Sequence, residues 1–270
     1  MIALVCLGAV ESVSTDGQSG GNPSRNGCSA LPSWGELRSA LKMARAAANG
    51  GLNLDMWGTI VDRDGIVCAV AFTGTDRAQQ WPGSRVISAQ KANTANAFSL
   101  PGLALSTANL YTATQPGGSL FGLQESNPVD QDVAYGGSAN DFGQRNDPMV
   151  GERIGGVNVF GGGLALYDSS GRLLGGLGVS GDTSCADHNI AYRTRARLKL
   201  DYVPAGVASG DKKDNIIFDI VPQGGGDAAP GPGQMSGVSE GGFGHVSCHG
   251  YNTGGNAVSA GFAAGLPATK

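Results

Sequence analysis

Charge is scarce in this 270-residue chain: Asp, Glu, Lys and Arg make up 15%, and the formal net charge is −4. With no long Lys/Arg run there is no electrostatic footprint for nucleic acid or anionic lipid, and both are set aside as partners. Long apolar runs are missing as well; no stretch reaches the ~18 residues that a membrane span needs. The absence of C-x-x-C argues against a structural zinc site. No H-E-x-x-H element, paired glutamates or Ser/His/Asp order is present, which leaves a hydrolase without residues to carry it. Histidine is confined to His188, His245 and His249.

Glycine is what the chain has in excess, 46 of 270 residues, about 17% against an ordinary share of about 7%. It follows no collagen-like period. Hydrophobic residues still reach 40%, enough to bury a core where they recur periodically. The opening MIALVCLGAV resembles the end of a secretory signal peptide lacking its basic start, so residues 1–10 are expected to be a signal remnant and the mature protein periplasmic or secreted. Residues 11–32, rich in Ser, Gly and Asn, read as a flexible leader. Setting Cys6 aside with the signal leaves Cys28, Cys68, Cys185 and Cys248. Four cysteines permit three pairings, among which sequence does not choose. In an oxidising compartment the working expectation is Cys28–Cys68 and Cys185–Cys248, against four buried free thiols.

Elements follow in order. Ser33 with Glu36 fits a capping box, and Leu37, Ala40, Leu41, Ala44 and Ala48 form one helical face that ends at Asn49-Gly50-Gly51. Strands are expected over 56–61 and 66–72, joined at Asp62-Arg63-Asp64-Gly65, whose glycine supplies the positive φ of a tight turn. A helix over 84–98, built from small residues, implies close packing against another surface. Residues 100–156 show little periodicity and are expected to form a covering loop or an inserted segment. A second hairpin spans 163–179 with its turn at Asp168–Gly171. A last helix runs from about Cys185 to Leu200, capped by Asp182, Thr183 or Ser184, with Arg193, Arg195, Arg197 and Lys199 towards its C-terminal end, where the dipole favours cations. Beyond 201 lies a Gly/Pro-rich extension with one apolar run at 215–221, expected to wrap over the domain. The fold class read from this order is α/β of the α+β kind: an antiparallel sheet of about five strands from two hairpins, covered by three main helices.

Three motifs in this order resemble the GlcG/HbpS family: VD-x-x-G at Val61–Gly65, A-x-K-A-x-T-A at Ala89–Ala95, and the glycine-rich element at Gly175–Gly181 that leads into an acidic helix start. The resemblance covers about residues 34–200. It implies an antiparallel sheet with helices, assembly into dimers or larger homo-oligomers, and, for some relatives, haem binding. A haem or similar planar anionic ligand gives the sparse ionisable residues a role. His188, in the first turn of the last helix, is the candidate iron ligand, with Tyr192 one turn on as another. Arg193, Arg85 and Lys91 are candidates for the ligand's carboxylates. Covalent attachment is excluded, since C-x-x-C-H would need cysteine where His245 stands. Gly176–Gly181 also matches G-x-G-x-x-G, but the chain lacks a βαβαβ succession, so its glycines are read as allowing close helix approach. The glycine-lined edge of the scaffold is expected to leave room for a flat cofactor. Two other readings stand beside this one: an accessory protein that docks a partner through the 100–156 loop, and an enzyme acting on haem or a small oxidised metabolite.

Overall fold

The computed structural model describes residues 27–221, 238–249 and 255–270. The apolar N-terminal run, most of the leader and part of the Gly/Pro-rich extension lie outside them. Helix α1 (Trp34–Arg45) begins at the expected capping box, in which Ser33 and Glu36 exchange hydrogen bonds. Strands β1 (Trp57–Asp62) and β2 (Val67–Phe72) form the first hairpin. Its turn is built by Asp62, whose Oδ1 accepts from the backbone N–H of Asp64 and Ile66, with Gly65 at φ +77°. Helix α2 (Ser84–Ala97) follows. The long intervening segment holds two short helices, α3 (Tyr111–Thr114) and α4 (Gln131–Tyr135). Strands β3 (Gly163–Tyr167) and β4 (Leu173–Ser180) make the second hairpin, and Asp168 with Gly171 repeats the turn chemistry of the first. Helix α5 (Ser184–Arg197) is capped by Thr183. The extension adds a two-residue pairing of β5 (Ile220–Val221) with β6 (Val238–Ser239), then α6 (Gly255–Ala264).

The main sheet has four strands in the order β2-β1-β4-β3, every neighbour antiparallel. About five were expected. The run at 215–221 does not join this sheet, because only Ile220 and Val221 pair, and they pair with β6. Side chains alternate between two faces, as a pleated strand requires. Ile60, Leu164, Leu166, Leu177 and Val179 pack towards α1 and α5 with Leu37, Leu41 and Ile190. Trp57, Val61, Val70 and Phe72 pack on the other side with Val86, Ala89 and Ala92 of α2 and with Met149 and Ile154 of the long segment. That segment is therefore part of the core.

Helix α2 crosses β4 at its glycines. A Cβ on Gly178 would collide with the carbonyl oxygen of Ser88, and one on Gly176 with that of Ala92. The close helix approach expected of these glycines is present, and it corrects the companion expectation: backbone of α2 fills the space that was to admit a flat cofactor. Two disulfides complete the scaffold, Cys28–Cys68 and Cys185–Cys248, with Cα–Cα separations of 5.3 and 6.1 Å.

Candidate functional site

The residues singled out in sequence do not gather at one place. His188 has no exposed surface. The Ile216 N–H points at its Nε2 from 3.1 Å, Asn215 Oδ1 lies 3.2 Å from the same nitrogen, and Nδ1 has no partner among the described residues. Tyr192 is buried beside it, ring centroids 5.8 Å apart. Lys91, also buried, donates to Asp187 Oδ2 at 2.8 Å and to the Val179 carbonyl at 3.3 Å. Arg85 sits in the first turn of α2, where it pairs with Asp147 through two nitrogens and donates to the Ala134 carbonyl. Arg193 lies on the outer side of α5 and reaches Asn49 Oδ1 at 3.2 Å. Lys91 and Arg85 are thus committed to internal carboxylates. His245 is buried against Tyr111, while His249 stacks on Phe262 and contacts Ser259, so the histidines around Cys248 do not converge on a metal. Cys28, Cys68 and Asp62 do present donor atoms within 4.8 Å of one another, but the disulfide leaves no thiolate there.

Burial dominates the titration of this interior. It pushes His188 down to about 3 and His245 down to about 4, and it raises Asp187 to about 6 despite Lys91. Each histidine's folded pKa lies below its unfolded value near 6.5, so its contribution to stability is present above that pH and is lost as pH falls towards the folded value. Asp187 runs the other way: raised, it favours the fold at low pH and loses that contribution as pH climbs to about 6. Two histidines outweigh one carboxyl. A thermal-unfolding series is expected to show a midpoint falling steadily from pH 6.5 to 4.5, with a shallower fall in His188→Asn. An unchanged slope in that variant would remove His188 from the account.

A more open site lies at the N-terminal end of α2. Between Asp76 and Ser84 the chain is stitched to itself: Asp76 caps the turn at Arg77–Gln79 by accepting from Ala78, Gln79 Oε1 accepts from Thr75, and Gln80 donates to the Asp76 carbonyl. The Trp57 indole N–H donates to the Trp81 carbonyl at 3.1 Å, which fixes the loop over β1. Opposite stands the segment around 135–147, anchored by Asp147. Besides Arg85, its carboxylate accepts from the N–H of Gly143 at 2.6 Å and Met149 at 2.9 Å. The Arg85 guanidinium carbon lies over the Phe142 ring, 3.7 Å from its centroid. These two walls enclose a cleft of about 380 Å³ lined by Trp57, Arg77, Pro82, Arg85, Val86, Tyr135 and Phe142. Tyr135 is 66% exposed, and no carboxylate among the described residues forms an ion pair with Arg77. Of the five residues expected to bind cofactor, only Arg85 lines this cleft. Arg77, Tyr135 and Phe142 carry no periodic or motif signal; the one trace in the sequence is that Tyr135 and Phe142 are aromatics in polar, Gly-rich surroundings.

The model of the HbpS-like haem-degrading protein family matches residues 35–196. Among curated proteins none matches the chain significantly. Solved structures with similarity include a complex of PduOC with haem, 25% identical over 60% of this chain and 89% of that one, with a TM-score of 0.42. Protein ORFY of Klebsiella pneumoniae is 24% identical over 61% of this chain and 86% of its own, TM-score 0.42. A double mutant of HbpS from Streptomyces reticuli is 14% identical over 73% and 96%, TM-score 0.37.

Proposed function

The chain belongs to the HbpS-like haem-degrading family, and from that premise we propose that it binds haem, or a comparable flat anionic macrocycle, in the cleft between the 76–83 loop and the 135–142 segment. One observation carries the placement: the cleft joins aromatic walls to an arginine without a carboxylate partner. A porphyrin face needs apolar, π-rich surface, which Trp57, Phe142 and Tyr135 provide, and its propionates need a cation, which Arg77 provides. The donor set fits an iron ligand as well, because the Tyr135 phenol is an oxygen donor of a kind found on haem iron. Arg85 acts here as a positioning residue; Asp147 neutralises it, and it holds Phe142 in the wall. Bound haem would bring the iron's redox chemistry. The lining contains no carboxylate, histidine or thiol; its one titratable hydroxyl is the Tyr135 phenol, and what the walls supply is binding and orientation. The disulfides support a periplasmic or secreted location, and among the described residues no helix is long and apolar enough to cross a membrane. Assembly into a homo-oligomer belongs to the same proposal.

Titration with hemin, followed at the Soret band, tests the reading. Wild type is expected to give a saturable red shift. Arg77→Gln should weaken binding about tenfold, the loss of one charge-assisted hydrogen bond. Tyr135→Phe should alter the band positions, while His188→Ala leaves them unchanged. No shift with wild type would end the haem reading. A spectrum abolished by His188→Ala alone would move the site beneath the C-terminal extension.

A further inference from the structure

A second basic feature lies on α5, apart from the residues that line the cleft. Arg193 and Arg197 stand one helical turn apart beside a groove of about 450 Å³, whose remaining lining is Ala196, Gly265, Leu266 and Pro267. At this spacing the two Cβ atoms are about 5–6 Å apart, and like charges so placed destabilise a helix. Among the described residues neither arginine forms an ion pair with a carboxylate. Arg193, half-buried, uses Nε on Asn49 Oδ1 and Nη2 on the Ala48 carbonyl, neither of them a full negative charge. Among the described residues Arg197 Nη1 meets the Met43 sulfur, at 3.7 Å, a weak acceptor. Burial and the neighbouring Arg197 both lower the pKa of Arg193. The helix dipole accounts for Arg197, which is in the last turn of α5, but not for Arg193, a full turn earlier. The described residues therefore hold two guanidinium groups together without a carboxylate partner, next to apolar surface.

We propose that this groove binds a small oxyanion with an apolar body, of the carboxylate or phosphate-ester class, its charged head between Arg193 and Arg197 and its body against Leu266 and Pro267. Guanidinium groups recognise both head groups through paired N–H donors.

Calorimetric titration of the full-length, disulfide-bonded protein with inorganic phosphate, phenyl phosphate and benzoate separates the possibilities. Phenyl phosphate binding more tightly than both others identifies a phosphate ester, and benzoate binding most tightly identifies a carboxylate. Inorganic phosphate should be weaker than the better aryl probe, since it lacks the apolar body. Arg197→Gln, at an exposed position, should weaken the preferred probe about tenfold, and Arg193→Gln,Arg197→Gln should abolish its heat. Both variants should retain the wild-type hemin titration, which keeps this site distinct from the cleft. No heat from any probe at millimolar concentration, or undiminished binding in the double variant, would overturn the assignment.

Discussion

Gly178→Ala is expected to destabilise the protein by at least about 3 kcal/mol, at the upper end of what overpacking costs. The reason is geometric. The added methyl would fall on the carbonyl oxygen of Ser88 and lie 2.5 Å from the Ala92 nitrogen, both backbone atoms of α2. Backbone cannot rotate aside as a side chain can, so the helix must lift from the sheet. Lifting it would disturb the contacts that Val86, Ala89 and Ala92 make with Trp57 and Val70, and would part the Thr59 hydroxyl from that of Ser88, now 2.7 Å away. Gly102→Ala is the control: open space surrounds that position, and its effect should stay within about 0.5 kcal/mol. Urea unfolding of the three proteins side by side measures the contrast. Equal midpoints would show that the helix–sheet seam is looser than described.

Asp214→Ala should be costlier still, about 3–5 kcal/mol. Arg195 and Asp214 are both wholly buried and meet through two bonds, Nη1 to Oδ2 at 2.5 Å and Nη2 to Oδ1 at 2.7 Å. Arg195 also donates to the Ala165 carbonyl of β3 and lies 4.8 Å from the Tyr192 ring centroid. Removing the carboxylate strands a guanidinium that remains charged in the interior. At about 2–4 °C per kcal/mol for a chain of this size, the melting temperature should drop by roughly 10 °C. Replacing both partners with apolar residues, Arg195→Met with Asp214→Leu, should recover most of the loss, because no charge is then left buried alone. A double variant as unstable as the single one would mean that the pair acts through its wider hydrogen bonds and not through charge balance.

These two features mark where sequence reasoning reached and where it stopped. The hairpin turns were legible because their chemistry is local: Asp62 and Asp168 bond to residues within four positions, and the adjacent glycines carry the positive φ. The capping box at Ser33 was legible for the same reason. Close approach over Gly176 and Gly178 was anticipated, though its consequence for cofactor space was inverted, since nothing in one strand says what will cover it. In sequence Arg195 is a cation suited to the dipole at the end of α5. Its partner lies in irregular chain with no period to announce it, so a buried pair looked like an exposed charge. The cleft was hidden in the same way. Trp57 comes from a strand, Arg77 from a short turn and Tyr135 from a segment without pattern, and only tertiary packing makes them neighbours.

The central pairing of β1 with β4 bears on the chain that connects the two hairpins. Each of these strands already has a local mate, so the sheet is completed by joining two self-contained ribbons. The entropy of closing the chain between them rises only with the logarithm of its length. Lengthening the connection between residues 99 and 162 therefore costs little closure entropy, provided Ala134, Met149 and Ile154 keep their places in the core; Tyr135 and Phe142 are drawn from the same connection. Exposed parts of this connection can therefore change length while the two ribbons stay paired.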